Sequence, residues 1–432
     1  FYKQVTDSKI TDAIQTATDE AKKDGGFYRT VQLGTDDENA ANLNRVWNSD
    51  QYISSIYSSS YNKAYQNFRK DTFGLEQPYR NFLMQSEESN PIYARFMGEK
   101  YIVTKSKMKG VRLLGKSEEW KIYENESAAS IIYGTSQVMS EKNYDKLDYP
   151  YNQTTLLQKA VVPESATKQT DSIEAVDNLH NAVLQFGENS CISETDGGYH
   201  FARKDTKVKA EIVSQIDINS VNAVNTENVG ENTNVANETK TDSGNRVLLL
   251  RFKVKNLKPS KDLTIWVDGN RNKLSAKQRV YYNDNTTFTY AVALEGDENQ
   301  VEVTFSKGKY NLSDVEAYIA TLPGTELYES EFLQNSTKTK GNVIAGNLTM
   351  QKSGYLITSI PYDSGFKIQV DGKNVKSEKV NTAFLGCKMK AGEHDIVITY
   401  HAPGMAAGKV MSFVGMMGFL ILSVLEHVDT KK

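Results

Sequence analysis

The spacing of apolar residues changes along this chain, and each change predicts a different element. Over residues 7–23, Ile10, Ile14 and Ala17 fall on one helical face, and Gly25-Gly26 marks the stop. Tyr57, Tyr61, Tyr65 and Phe68 recur at helical intervals after Ser58-Ser59-Ser60, any of which supplies a cap, so the stripe predicts a packed aromatic face. Short runs at 27–31, 100–104, 120–123 and 131–133 read as strands between these helices. Interleaved helices and strands define an α+β domain over residues 1–159. A second helix is predicted at 171–186, with Asp171 as cap, Glu174 at the capping-box position, and Ile173, Val176, Leu179, Val183 and Leu184 turned inward.

From there the period becomes two. Residues 208–218 and 247–254 read as strands, separated by a disordered insertion at 219–244 that is rich in Asn, Thr and Val and nearly free of large apolar side chains. The chain then repeats a scheme. Ile265-Trp266-Val267-Asp268-Gly269 is matched by Ile368-Gln369-Val370-Asp371-Gly372, and each copy leads to a Gly-acid turn, at Gly296-Asp297 and Gly392-Glu393, followed by another strand. Asp-Gly between alternating runs is tight-hairpin chemistry, because both residues accept a positive φ. Two copies predict a β-sandwich, jelly-roll-like region over 160–402. Asp268 and Asp371 serve the turns in this reading rather than calcium.

The pattern ends in a charge-free run at 410–425, bounded by Lys409 and the tail Glu426-His427-Val428-Asp429-Thr430-Lys431-Lys432. An α-helix needs about 20 mostly apolar residues to cross a bilayer, so 409–428 is expected to be a single transmembrane helix. Gly415, Gly418 and Ser412 suit helix packing in lipid. The terminal lysines place the C-terminus in the cytoplasm by the positive-inside rule, with the bulk of the chain expected outside the cell. Phe1-Tyr2-Lys3-Gln4 opens no secretory signal, so the chain is expected to be the back part of a larger exported protein.

Composition narrows the chemistry. A length of 432 residues implies more than one domain. A net charge of -3 with dispersed Lys and Arg gives no footprint for nucleic acid. The 24 tyrosines suit carbohydrate, since a phenol offers an apolar face and a hydrogen-bonding tip. Cys191 and Cys387 are too few for a disulfide framework or a zinc site, and whether they pair stays open. No phosphate loop, nucleophile elbow or zincin motif occurs, and the five histidines are scattered, so no metal or cofactor is expected. Adjacent acids such as Glu87-Glu88, Glu118-Glu119 and Asp36-Asp37 read as solvated turns rather than a glycosidase pair. On these residues the chain is a binding or accessory ectodomain.

Several ordered patterns resemble the C-terminal half of the bacterial membrane protein YfhO family. They are Phe27-Tyr28-Arg29-Thr30-Val31, the stretch YISSIYSSSY at 52–61, Phe96-Met97-Gly98-Glu99-Lys100-Tyr101-Ile102-Val103-Thr104, Ile122-Tyr123-Glu124-Asn125, Asn178-Leu179-His180-Asn181-Ala182, Ser359-Ile360-Pro361-Tyr362-Asp363-Ser364-Gly365-Phe366, Ala383-Phe384-Leu385-Gly386 and Tyr400-His401-Ala402-Pro403-Gly404. Glu99 stands where the family commonly has an apolar residue. The resemblance implies a GT-C-type membrane glycosyltransferase that moves a monosaccharide from undecaprenyl phosphate to a cell-envelope polymer such as lipoteichoic acid. It places the catalytic acid in an upstream multi-pass membrane region. This part is then expected to bind the acceptor polymer or the polyprenyl-phosphate donor, through Trp47, Tyr52, Tyr57 and Tyr61 for stacking and Arg29 for a phosphate. The competing reading is a non-catalytic, membrane-anchored carbohydrate-binding or adhesion ectodomain.

Overall fold

The computed structural model describes residues 10–33, 52–53, 56–57, 62–74, 83–84, 90–163, 179–203, 205–214, 246–280, 282–322 and 333–429. Its α+β front is followed by β-sandwich structure and a single apolar C-terminal helix.

The first helix, Ile10–Lys23, lies on a four-stranded sheet ordered Arg29–Leu33, Glu99–Thr104, Trp120–Glu124, Arg112–Ser117. Ala13, Ile14 and Ala17 are fully buried against Tyr101, Val103, Trp120 and Ile122, which is the face their spacing requires. Arg29–Leu33 and Glu99–Thr104 run parallel, so the chain between them must cross over, and it returns through the helix Pro91–Met97. Asn90 caps that helix by accepting the N–H groups of Ile92 and Tyr93, and Pro91 occupies a first-turn position that needs no donor. Gly98 ends it at φ +70, where a Cβ would meet the Ala129 carbonyl at 2.8 Å.

The aromatic stripe is split. Tyr65 and Phe68 are buried as expected, in Lys63–Asn67 and its π-helical continuation Phe68–Thr72, but Tyr57 belongs to the two-residue strand Ile56–Tyr57 opposite Leu83–Met84. The cap is Asn62, whose Oδ1 accepts the Tyr65 N–H, not a serine of 58–60. Phe68 packs its ring against Phe73, Phe96 and Phe384 at 5.3, 5.2 and 4.8 Å between centroids.

Residues 179–321 build a ten-stranded sheet system in which Arg246–Asn256 pairs with both Thr287–Leu294 and Gly308–Thr321. The helix expected at 171–186 is corrected here, because Leu179–Phe186 is a strand paired with Thr206–Ser214 and Gly308–Thr321. Ala182 and Leu184 turn inward while Val183 stays exposed, so the alternation of two wins once neighbouring strands supply partners. Residues 164–178 and the insertion at 219–244 lie outside the described residues.

The C-terminal sandwich pairs a five-stranded sheet with a four-stranded one. The latter takes in Ile132–Thr135, whose partner is Gly354–Pro361, so the front of the chain contributes an edge strand across the boundary expected at 159. Cys387 is buried in this core and Cys191 packs against the other sandwich; both are free thiols.

Asp268-Gly269 and Asp371-Gly372 turn the hairpins Leu263–Val267 to Asn270–Leu274 and Phe366–Val370 to Lys373–Val375, with positive φ at all four residues. Beyond the second sandwich the helix Met405–Asp429 stands apart from the body, and none of its apolar window is buried. Its length and composition fit a membrane crossing.

Candidate functional site

The densest chemistry among the described residues is a polar seam where the α+β front meets the C-terminal sandwich. The parallel strand Arg29–Leu33 starts at this seam and delivers Arg29 into it, 6% exposed. Its Nη1 donates to the Met97 carbonyl and, at 2.6 Å, to Ser359 Oγ, while Nη2 donates to the Ser359 carbonyl at 2.9 Å. Burial lowers the guanidinium's pKa, and the neighbouring Tyr65, Glu99 and Tyr93 act in the opposite direction. Glu99 is itself buried and pairs in register with Arg29, which puts a carboxylate where a buried cation needs a counter-charge.

Tyr65 and Tyr93 meet through their hydroxyls in the same region. Burial raises both phenol pKa values, Tyr93's well above the ordinary one, so both stay neutral. Arg69 and Arg95 are buried as well, and Arg95 donates to the Ser127 carbonyl. Tyr65, Tyr93, Arg69 and Arg95 are enclosed together in the interior. The seam clamps two units together, and an anion would have to displace Ser359 to reach Arg29.

The five residues expected to bind substrate are placed unevenly. Tyr52 adjoins Arg29 in space, since the Thr30 N–H donates to the Tyr52 carbonyl at 2.9 Å. The Tyr52 ring is half-buried and meets Phe27 edge to face at 5.8 Å. Tyr57 lies in the short strand opposite Leu83, while Trp47 and Tyr61 fall outside the described residues. Glu99 and Ser359 figured only within the resemblance patterns, and Tyr93 and Arg95 were not singled out. A signal was present for one of them: Arg95 interrupts the otherwise uncharged helix Pro91–Met97.

Beside the seam is a small, mostly apolar hollow lined by Ile92, Arg95, Phe96, Tyr133, Leu156 and Leu157. Among the described residues no group of three or more His, Cys, Asp or Glu could hold a metal ion. Asp268 and Asp371 spend their carboxylates on the turns: Asp268 Oδ1 accepts the Glu302 N–H at 2.7 Å, and Asp371 Oδ1 accepts the Asp395 N–H at 3.0 Å. Their turn role agrees with the hairpin chemistry of the sequence.

A β-sandwich body followed by an uncovered apolar helix is the construction of a membrane-associated protein. The family described as bacterial membrane protein YfhO matches residues 1–412, and the chain belongs to that family. A protein of Bacillus subtilis (strain 168), described as "Uncharacterized protein YfhO", is 22% identical over 377 residues, which is 84% of this chain and 40% of that protein. The chain thus spans well under half of that relative's length. Among solved structures, arabinofuranosyltransferase AftD from Mycobacteria aligns over 34% of this chain and 12% of its own, at 12% identity and a TM-score of 0.16. The CBM36-1 domain of a multidomain xylanase from the hindgut metagenome of Trinervitermes trinervoides aligns over 33% of this chain and 99% of its own, at 11% identity and a TM-score of 0.15. Likeness at that level carries no argument about fold or activity.

Proposed function

We propose that this chain is the extracytoplasmic portion of a GT-C-type membrane glycosyltransferase that moves a monosaccharide from undecaprenyl phosphate to a cell-envelope polymer such as lipoteichoic acid. In this reading the bond-breaking acid sits in an upstream multi-pass region, and the present body receives the acceptor or the lipid carrier. One observation carries it: a chain belonging to the YfhO membrane-protein family over residues 1–412 ends in a bare, span-length helix. A body tied that closely to a bilayer is suited to holding a polymer hydroxyl near a lipid-linked donor, which is catalysis by positioning. The bulk then faces the outside and the C-terminus the cytoplasm.

Acceptor contact falls to the aromatics Tyr52 and Tyr57 with Trp47 and Tyr61, and Arg29 serves them by fixing the strand beside Tyr52. Deleting the gene and comparing sugar decoration of wall polymers tests the activity. Loss of decoration, restored by the complete gene, is the expected result; unchanged decoration rejects the transferase and favours a binding or adhesion ectodomain. Complementation with Tyr52→Ala separately tests the aromatic contact.

A further inference from the structure

The last strand of the C-terminal sandwich, Gly392–Tyr400, passes into the helix Met405–Asp429 through residues 401–404. Four residues span at most about 14 Å. That link is not slack: the His401 N–H donates to the Gly365 carbonyl at 3.0 Å, and the Met405 N–H to the Ala402 carbonyl at 3.2 Å. Whatever the tilt of the helix, the end of the sandwich near Tyr400 stays close to the depth where polar headgroups begin.

Two further segments reach that end. The Lys340–Val343 turn closes on itself through paired backbone bonds, and its Asn342 receives the Tyr400 N–H and donates from Nδ2 to the Tyr400 carbonyl at 2.7 Å. On the other side Phe366 is in register with Tyr400, their ring centroids 4.6 Å apart, and Lys367 follows opposite Thr399. Half-buried aromatics at this position match the amphipathic belt that membrane proteins place at the headgroup level.

The charge at this end is lopsided. Among the described residues, Lys340, Lys367 and Lys409 are exposed near this end, against Asp363. Asp363 Oδ1 accepts the Gly365 N–H, whereas the Lys338–Asp395 pair, at 3.7 Å, lies toward the Asp371-Gly372 turn and away from this end. Among the described residues, three cations against one carboxylate leave this end positive where the chain passes into the helix.

We propose that this end of the C-terminal sandwich, with Lys340 and Lys367 on its rim, rests on anionic phospholipid headgroups of the membrane that the helix crosses. Contact there converts a one-helix tether into a seated body and fixes which face of the sandwiches looks along the membrane. The inference rests on the anchor helix and is independent of the transferase reading.

The test reconstitutes the full chain in vesicles of phosphatidylcholine alone and of phosphatidylcholine with phosphatidylglycerol, in low salt. Backbone hydrogen exchange is followed at Lys340, Val343 and Gly365. Phosphatidylglycerol is expected to slow these amides about fivefold or more, and the K340Q/K367Q variant to exchange equally in both lipids. Unchanged exchange in the buried strand Phe384–Met389 shows that the variant is folded. Equal exchange of the unaltered chain in the two lipids, whether fast in both or slow in both, overturns the proposal.

Discussion

Asp371 holds Asp395 by two bonds, donating its own N–H to the Asp395 carbonyl at 2.9 Å and accepting the Asp395 N–H on Oδ1 at 3.0 Å. Asp268 repeats both with Glu302, at 2.8 and 2.7 Å. In each copy the aspartate occupies a left-handed turn position, φ 46 at Asp268 and φ 51 at Asp371, and staples the hairpin to the strand beside it. The sequence repeat is therefore a repeat of structure down to single hydrogen bonds.

Asp268→Ala is expected to destabilise the fold by about 2–4 kcal/mol, combining a lost charge-assisted hydrogen bond with a left-handed backbone that alanine tolerates poorly. Part of that loss belongs to the Lys109 ion pair at 2.8 Å, which joins the α+β front to this turn. Asp268→Asn keeps an acceptor and accepts the positive φ, so it should cost less. Asp371→Ala should shift in the same direction as Asp268→Ala. Thermal unfolding measures all three, and equal losses for Asn and Ala at position 268 would sink the hydrogen-bond account.

Arg29→Ala should cost about 3–5 kcal/mol, because it strands a buried carboxylate and the Met97 and Ser359 oxygens together. Arg29→Lys is also expected to destabilise, since one ammonium cannot reproduce a guanidinium fork reaching two chain segments. Ser359→Ala, which leaves both carbonyl contacts in place, should cost about 1 kcal/mol. Chemical denaturation decides the matter. Wild-type stability for Arg29→Ala would show that the seam does not clamp the two units.

These two cases show what the sequence carries openly and what it conceals. Asp-Gly turns, the face of Ile10–Lys23 and the apolar terminal run are local patterns, and the structure bears them out. Leu179–Phe186 went astray because Leu179, Val183 and Leu184 satisfy a helical spacing, whereas Ala182 and Leu184 satisfy a strand. Only the partner strands choose between them. Tyr57 failed for a related reason, since equal spacing does not make a continuous helix. The seam was hidden because Arg29 meets Ser359 from 330 positions away, and its charge in the sequence read as a phosphate site rather than a buried clamp.

Acid should act on one carboxylate in particular. Burial alone would raise the pKa of Asp262, but Lys273, the Ala276 N–H and Arg279 outweigh it and hold the group at about 2. The ion-pair distances are 2.7 Å to Lys273 and 2.8 Å to Arg279, and the side chain is 24% exposed. A folded-state pKa below the unfolded one gives stability that is complete above the ordinary carboxylate range and drains away as pH falls toward 2. The contribution is at most about 2 kcal/mol after allowing for solvent screening. The stability gap between the wild type and Asp262→Asn should shrink as the buffer is taken from neutral toward pH 2; a constant gap would remove Asp262 from the acid response.

The thiols provide the last prediction. Burial, with a smaller push from Glu378, lifts Cys387 to about 12, and its side chain is fully enclosed in the C-terminal core. Thiolate is the reactive form, so Cys387 should be inert to a disulfide reagent at mildly alkaline pH. Cys191 is half-buried beside the strand Ile192–Thr195 and remains within reach of the reagent. The native chain should therefore titrate one thiol, Cys191→Ser none, and Cys387→Ser still one. Because the two sulfurs belong to separate cores, oxidation should not join them within one folded chain. Two fast-reacting thiols, or an intramolecular disulfide in the folded protein, would contradict the packing around Cys387.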